Sequence, residues 1–125
     1  MVDVFNTHLD HQSQVAREKS VRLIANRVEA RKQPSLFLVT GDFNAGEDDP
    51  VIAYLKGKHE DPSPVPMVDS FRVARPEAIE VGTGSRFSGF TSGNKIDYIF
   101  VSPKTRVIGA DILRTHRDGR YPSAH

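Results

Sequence analysis

Two polar side chains follow one of the most apolar short segments of the chain. Asp42 and Asn44 come directly after the apolar run 36–39, so a buried strand would deliver them to the edge of a sheet. If the chain stays extended there, the carboxylate and the amide share one face. A carboxylate can ligate Mg²⁺, and an amide can orient a water or a phosphate oxygen. The alternative, which Gly-Asp-x-Asn by itself favours, is an Asx-turn that only satisfies local backbone groups.

Three more residues could contribute to such a site. His8 lies at the end of a predicted strand and could donate a hydrogen bond to a phosphate oxygen, although a lone histidine there is also typical of a surface. Asp97 interrupts the apolar segment 96–101, where a carboxylate needs a partner. An imidazole would make the pair a general base, while Lys95, an arginine or solvent are the alternatives. His125, as a terminal residue, carries no assignment by itself.

The elements that must position these residues follow from hydrophobic periodicity and breakers. Apolar residues recur at helical spacing within a helix predicted from Ser13 to about Arg31, which Pro34 should have ended. Asp49 and Pro50 are typical of a helix start, before a short helix at 51–56. Glycine- and proline-rich loops are expected at 57–67 and 76–94. Strands are predicted at 2–7, at 36–40 with a stop at Gly41, at 96–101 and at 106–115.

The bulk composition limits the classes of function. With 125 residues, 38% of them hydrophobic and a net charge of +1, the chain is typical of one modest soluble α/β domain. It has no cysteine, which excludes thiolate catalysis, cysteine zinc sites and disulfides. No apolar stretch is long enough to span a bilayer. The compartment, cytoplasmic or exported, is left open.

The motifs together resemble the endonuclease/exonuclease/phosphatase superfamily, which has the deoxyribonuclease I-like fold. Their order and approximate separations match that family, and an aromatic-glycine segment at 86–90 lies where many members have a similar one. Each motif is weak alone, but four in the right order are specific. They are Asn6-Thr7-His8-Leu9, Gly41-Asp42-Phe43-Asn44, residues 95–102 around Ile96-Asp97-Tyr98, and Ser123-Ala124-His125.

The resemblance implies a fold and a chemistry. Residues 1–125 would be the C-terminal portion of the domain, that is, half of a four-layer α/β sandwich, with a mixed, mostly antiparallel sheet and helices on one face. Members hydrolyse phosphoesters with Mg²⁺ or a similar ion such as Mn²⁺. Asp42 and Asn44 would bind metal, water and phosphate, and His8 would contact the scissile phosphate. Asp97 would pair with His125 to activate water or stabilise the transition state.

Two departures from the family pattern affect what is expected of this chain. The final motif usually reads Ser-Asp-His, and Ala124 stands where that carboxylate would be, which should weaken metal binding and lower turnover. The first sheet and the glutamate that is the principal metal ligand would lie before Met1. The chain begins within a predicted strand and stops at His125 without a closing element, so both ends look cut. One apolar sheet face should therefore be uncovered.

These expectations define a main hypothesis and an alternative. The first is a fragment of a metal-dependent phosphoester hydrolase, acting on phosphoester substrates that could include nucleic acid, and weak or inactive alone. The alternative is a non-catalytic interaction or phosphate-binding module. Its uncovered sheet would be covered by the missing N-terminal half or by a second copy of the chain. Nothing in the loop at 76–94 selects among nucleic acid, lipid head group and inositol phosphate substrates.

Overall fold

The computed structural model describes residues 1–33 and 35–125. Within these ranges no helix is both long enough and apolar enough to cross a membrane. The described chain forms four strands and three helices within its first hundred or so residues. In chain order they are β1 (Val2–His8), α1 (Gln14–Glu29), β2 (Leu36–Asp42), α2 (Pro50–Leu55), β3 (Val68–Asp69), α3 (Ser70–Ala74) and β4 (Asp97–Val101).

Helix α1 forms where the periodicity predicts it. The hydroxyl of Ser13 accepts a hydrogen bond from the backbone N–H of Ala16 and so caps the first turn. Val21, Ala25 and Val28 lie four and seven residues apart on one stripe and are buried. The predicted boundary at Arg31 is two residues too long, because the helix ends at Glu29. Pro34, which was expected to end it, lies outside the described residues.

Side-chain caps also begin the two shorter helices. Asp49 accepts from the N–H of Val51 and Pro50 occupies the first turn of α2, as the sequence predicts. Asp69 caps α3 by accepting from the N–H of Phe71 at 3.0 Å. The sequence analysis missed β3 and α3, because a two-residue strand and a five-residue helix are too short for a periodic signal.

The sheet has the strand order β1-β2-β4-β3. Strand β1 pairs parallel to β2, whereas β4 pairs antiparallel to both β2 and β3. The sheet is therefore mixed and mostly antiparallel, which confirms the expected class. The predicted stop of β2 at Gly41 is wrong, because the ladder continues through Gly41 to Asp42 on both sides.

The two faces of this sheet differ sharply in burial. Phe37 and Val39 of β2 and Tyr98 and Phe100 of β4 point into the core that α1 and α2 cover. Alternate positions point to the other face. That open face exposes large apolar side chains at four strand positions, namely Val2, Val4, Leu36 and Ile99. Helices α1 and α2 thus lie on one face, as the resemblance implies.

The prediction of a strand at 106–115 is wrong. This stretch shows partial alternation of burial, but it forms no ladder with any strand of the described chain. Alternation alone predicts a strand only where a neighbouring strand supplies hydrogen bonds. Here Ile108 and Leu113 of the stretch are exposed at 93% and 86%.

A bidentate ion pair ties the loop after β2 to α3. The guanidinium of Arg72 donates to both carboxylate oxygens of Glu47, each at 2.7 Å. This hydrogen bonding holds the pKa of Glu47 below its ordinary value of 4.5, against the opposing effect of burial. Glu47 therefore binds its proton more weakly in the folded chain than in the unfolded chain. The stabilisation by this ion pair is complete above pH 4.5 and is lost as the pH falls through the lowered pKa of Glu47.

We therefore predict that the Glu47→Gln variant melts at a lower temperature than the original chain near neutral pH. The two melting temperatures should converge on acidification, since protonated Glu47 no longer pairs. Thermal unfolding followed by circular dichroism between about pH 6 and about pH 3 measures this. The exposed Glu60, replaced by glutamine, is the matched control and should give a curve parallel to the original. Parallel curves for Glu47→Gln would contradict the prediction.

Candidate active site

The candidate residues form one row across the open face of the sheet. His8 of β1 is the register partner of Asp42 in β2, and Asp42 is in turn the partner of Asp97 in β4. All three therefore lie side by side at one end of the sheet, although they are far apart in the sequence. The next row contains Asn6 and Thr40, whose side chains hydrogen bond at 2.9 Å, and the apolar Ile99. On β1 and β2 the polar side chains thus occupy this end of the face, and the apolar ones occupy the other.

His125 completes the row from the C-terminal segment. Its Nδ1 lies 2.9 Å from Oδ2 of Asp97, and its Nε2 lies 3.8 Å from Oδ2 of Asp42. The Nε2 of His8 approaches the same oxygen of Asp42 at 3.4 Å. The structure therefore brings together four of the five candidates. Two imidazoles and two carboxylates alternate, in the order His8, Asp42, His125 and Asp97.

The electrostatics of His125 follow from these contacts. The hydrogen bond to Asp97 raises the pKa of His125, desolvation opposes this, and the charges of Asp97 and Asp42 add to the increase. With a carboxylate on Nδ1, the ring proton is favoured at that nitrogen. The neutral ring then presents Nε2 as an acceptor beside Asp42. An imidazole with a raised pKa is the stronger base, which suits proton abstraction from water.

Asn44 takes a different position from the one predicted. The expectation that it shares a face with Asp42 is wrong, because β2 ends at Asp42 and Asn44 adopts a left-handed φ of 47°. Its backbone N–H donates to Oδ1 of Asp42 at 2.8 Å, which is the Asx-turn alternative. Its side-chain amide donates to the carbonyl of Leu9 at 2.8 Å. What Asn44 can offer a ligand is therefore its Oδ1 atom.

The donor set fits a divalent cation. One ligand atom each from Asp42, Asp97 and His125 lies within 4.8 Å of the others, so one ion could contact all three. Carboxylate oxygens suit Mg²⁺ and Mn²⁺, and imidazole accepts the softer Mn²⁺ more readily than Mg²⁺. Ala124, next in sequence to His125, has no ligand atom in its side chain. A cation here would thus be held by fewer carboxylates than the family motif supplies.

A cleft opens beside the row. It has a volume of about 390 Å³ and runs from Asp42, Asp97 and His125 towards Ile99 and Leu113. Its polar end therefore carries the candidate groups, whereas the end near Ile99 is apolar. A cleft of this volume is large enough for a small ligand at its polar end.

A buried ion pair lies directly behind the site, and the sequence analysis did not predict it. The ammonium of Lys95 lies 2.8 Å from the carboxylate of Asp69, and the two side chains are 2% and 1% exposed. This contact removes the alternative in which Asp97 pairs with Lys95. The pattern that could have revealed it was a lysine placed immediately before the apolar segment 96–101.

The comparison of the sequence with known families now bears on this geometry. The model of the Endonuclease/Exonuclease/phosphatase family matches residues 2–125. The chain belongs to this family. The resemblance drawn from the four motifs is confirmed, and the site row carries one residue from each of the four. No curated protein matches the chain.

Solved structures similar to the chain are more than twice as long. A conserved protein of unknown function from Enterococcus faecalis superposes with a TM-score of 0.73 at 28% identity, over 98% of this chain and 46% of its own. A mannosyl-6-phosphatase from Bacteroides thetaiotaomicron gives 0.64 at 26% identity, over 81% and 37%. The human Nocturnin catalytic domain, solved with a bound sulfate anion, gives 0.51 at 18% identity, over 78% and 34%, and shows the fold alone. The chain thus spans less than half the length of these proteins.

Proposed function

We propose that this chain carries part of the active site of a metal-dependent phosphoester hydrolase. The observation that supports this best is the contact of 2.9 Å between Asp97 and His125, beside Asp42 in the same row of an open sheet face. Two carboxylates and an imidazole that face one cleft are what hydrolysis of a phosphoester requires. They can hold a cation, orient water and accept its proton.

Each residue has a distinct role in this proposal. His125, kept in its Nδ1–H form by Asp97, accepts the proton of the attacking water at Nε2. Asp42 faces the imidazoles of both His8 and His125, so it holds their orientation and offers Oδ2 to a cation. His8, with 73% of its side chain exposed, is free to donate to a non-bridging phosphate oxygen. Asn44 contributes its Oδ1 to water or metal.

A divalent cation bound at this site would neutralise phosphate charge and lower the pKa of a bound water. Asp42 and Asn44 would hold it, with Asp97 and His125 close enough to share it. Since Ala124 supplies no carboxylate, we expect weak metal affinity and slow turnover by this chain alone. The exposed apolar face and the coverage of less than half of the similar structures support the same expectation.

The test is release of p-nitrophenol from a phosphomonoester and a phosphodiester, namely p-nitrophenyl phosphate and bis(p-nitrophenyl) phosphate. The likeness to a mannosyl-6-phosphatase makes the monoester the first substrate to test. We expect slow hydrolysis that needs Mn²⁺ or Mg²⁺ and disappears in EDTA. Ala124→Asp should raise the rate, since it restores a carboxylate beside His125.

Asp97→Asn should lower the rate by about 100-fold or more, because the imidazole loses the partner that fixes its tautomer. Asp61→Asn is the matched control and should leave the rate unchanged, as Asp61 pairs with Arg22 on the surface. Hydrolysis that persists in EDTA contradicts the proposal. So does an Ala124→Asp variant that is no more active than the original chain.

A second candidate function is supported by Ala124 itself. A member that lacks this carboxylate but keeps His8, Asn44 and His125 could bind phosphate without hydrolysing it. Inositol phosphates or nucleotides would then raise the melting temperature, with no product formed. The Ala124→Asp assay separates the two, because a binding module would stay inactive.

A further inference from the structure

Thr83 lies at the centre of a hydrogen-bonded link that the motifs do not reveal. Its side chain is buried, with the residue 6% exposed. Its hydroxyl oxygen accepts from the backbone N–H groups of Ile96 at 3.0 Å and of Asp97 at 3.1 Å. These N–H groups belong to the first residue of β4 and the residue before it, so Thr83 fixes the backbone from which the Asp97 carboxylate projects.

The residues that follow Thr83 hold the other member of the pair. The backbone N–H groups of Ser85 and Arg86 donate to the carbonyl of Ala124 at 2.6 Å and 2.9 Å, and the Ser85 hydroxyl is 3.3 Å from it. Ala124 is the residue before His125. The accepting group is a backbone carbonyl, so this anchor does not depend on which side chain occupies position 124.

We propose that residues 83–86 act as a bracket that sets Asp97 and His125 at hydrogen-bonding distance, with Thr83 as its positioning residue. One short segment binds the backbone of both partners, one through Thr83 and the other through Ser85 and Arg86. A loop that only filled space would have no reason to bond to both. The role of the bracket in catalysis rests on the proposed function, whereas its effect on the contact between Asp97 and His125 does not.

The backbone at the end of the bracket supports this assignment. Arg86 and the next residue, Phe87, both have left-handed φ values, of 51° and 66°, which are unfavourable for residues other than glycine. Such a pair persists only where other contacts over-determine it. The hydrogen bond from Arg86 to Ala124 and the close packing of Gly89 on the Tyr121 ring supply those contacts. The loop is thus held against the segment that carries His125.

The tautomer of His125 reports the bracket directly. Long-range ¹H–¹⁵N correlation spectra of the metal-free chain, at a pH where imidazoles are neutral, show which ring nitrogen carries the proton. His125 should be the Nδ1–H tautomer because that nitrogen faces Asp97. His59 and His116 are internal controls that should be the Nε2–H tautomer, since their Nδ1 atoms accept from the N–H groups of Asp61 and Gly119.

Thr83→Val removes the acceptor at nearly constant size, and we expect loss of the Nδ1–H signature at His125 while His59 and His116 are unchanged. Thr83→Ser keeps the hydroxyl and should retain the signature. Ser85→Ala keeps the backbone donor and should also retain it. An unchanged His125 in a folded Thr83→Val variant overturns the proposal, and so does equal loss in Thr83→Ser.

If Thr83→Val does not fold, the rates of amide hydrogen exchange in the original chain test the proposal instead. The Ile96 and Asp97 amides should be protected, and rapid exchange of both in the folded chain would overturn the proposal. The result is independent of turnover. A chain that shows the expected tautomers but no hydrolysis would support the bracket and contradict the proposed function. A chain that hydrolyses the substrate but lacks the expected tautomers would contradict only the bracket.

Discussion

Replacing Gly41 with alanine is expected to lower the free energy of unfolding by about 4 kcal/mol. The φ of Gly41 is +143°, a conformation that side chains disfavour. A Cβ there would lie 1.8 Å from the carbonyl oxygen of Thr7, which is a backbone atom of the neighbouring strand. The clash cannot be relieved by a side-chain rotation, so β1 and β2 would have to separate.

This separation would also disturb the site, because Thr7 and Gly41 precede His8 and Asp42 in the same ladder. Urea unfolding gives the midpoint and slope for the Gly41→Ala variant. Gly109→Ala is the matched control, since a Cβ added there would meet no atom within 4 Å and the φ of Gly109 is ordinary. It should be neutral or slightly stabilising. Equal midpoints for the two variants would contradict the expected clash.

The sequence predicted the parts of the fold that depend on local chemistry. Helix α1 shows its apolar stripe and its Ser13 cap, and α2 shows Asp49 before Pro50. The motif order predicted the family, which the match over residues 2–125 confirms. The same resemblance named the residues that the structure brings into one row. The position of Asp97 in an apolar segment had required a partner without saying which residue it is.

The remaining features depend on contacts between distant segments. Nothing near Thr83 in the sequence indicates that its hydroxyl binds the start of β4, fourteen residues away in the case of Asp97. The Asx-turn at Asn44 is the local alternative that Gly-Asp-x-Asn favours, but its side chain donates to the Leu9 carbonyl, 35 residues earlier, which the sequence does not indicate. The stretch 106–115 has partial strand-like alternation but forms no ladder with any strand in the described part of the chain. Such features follow from tertiary packing, which a periodic pattern does not encode.

The open face and the site are two consequences of the same register. Every second residue of β1, β2 and β4 points away from the helices, so the exposed Val4 and the candidate His8 share a face. Whatever covers the apolar rows would also border the cleft. The row of candidate residues therefore lies where a second layer on this face would contribute further groups.

The buried pair of Lys95 and Asp69 should give the other large change in stability. Burial lowers the pKa of Lys95, while the hydrogen bond and charge of Asp69 oppose that effect. The ammonium also lies 3.3 Å from the centre of the Tyr98 ring. Removing one partner leaves the other as an uncompensated buried charge, so Lys95→Met or Asp69→Asn alone should cost about 3–5 kcal/mol.

The double variant with both replacements should recover most of that loss. Methionine fills the volume of the lysine stem, and asparagine at position 69 can still cap α3 by accepting from the N–H of Phe71. Unfolding midpoints of the four chains form a double-mutant cycle, and a large coupling energy is expected. Asp111→Asn, which breaks an exposed pair with Arg75, is the control and should be indistinguishable from the original chain. Additive losses in the cycle would mean that Lys95 and Asp69 stabilise the chain separately, by packing and by capping. Strong coupling would mean that α3 is fastened to the start of β4 by charge, two residues before Asp97.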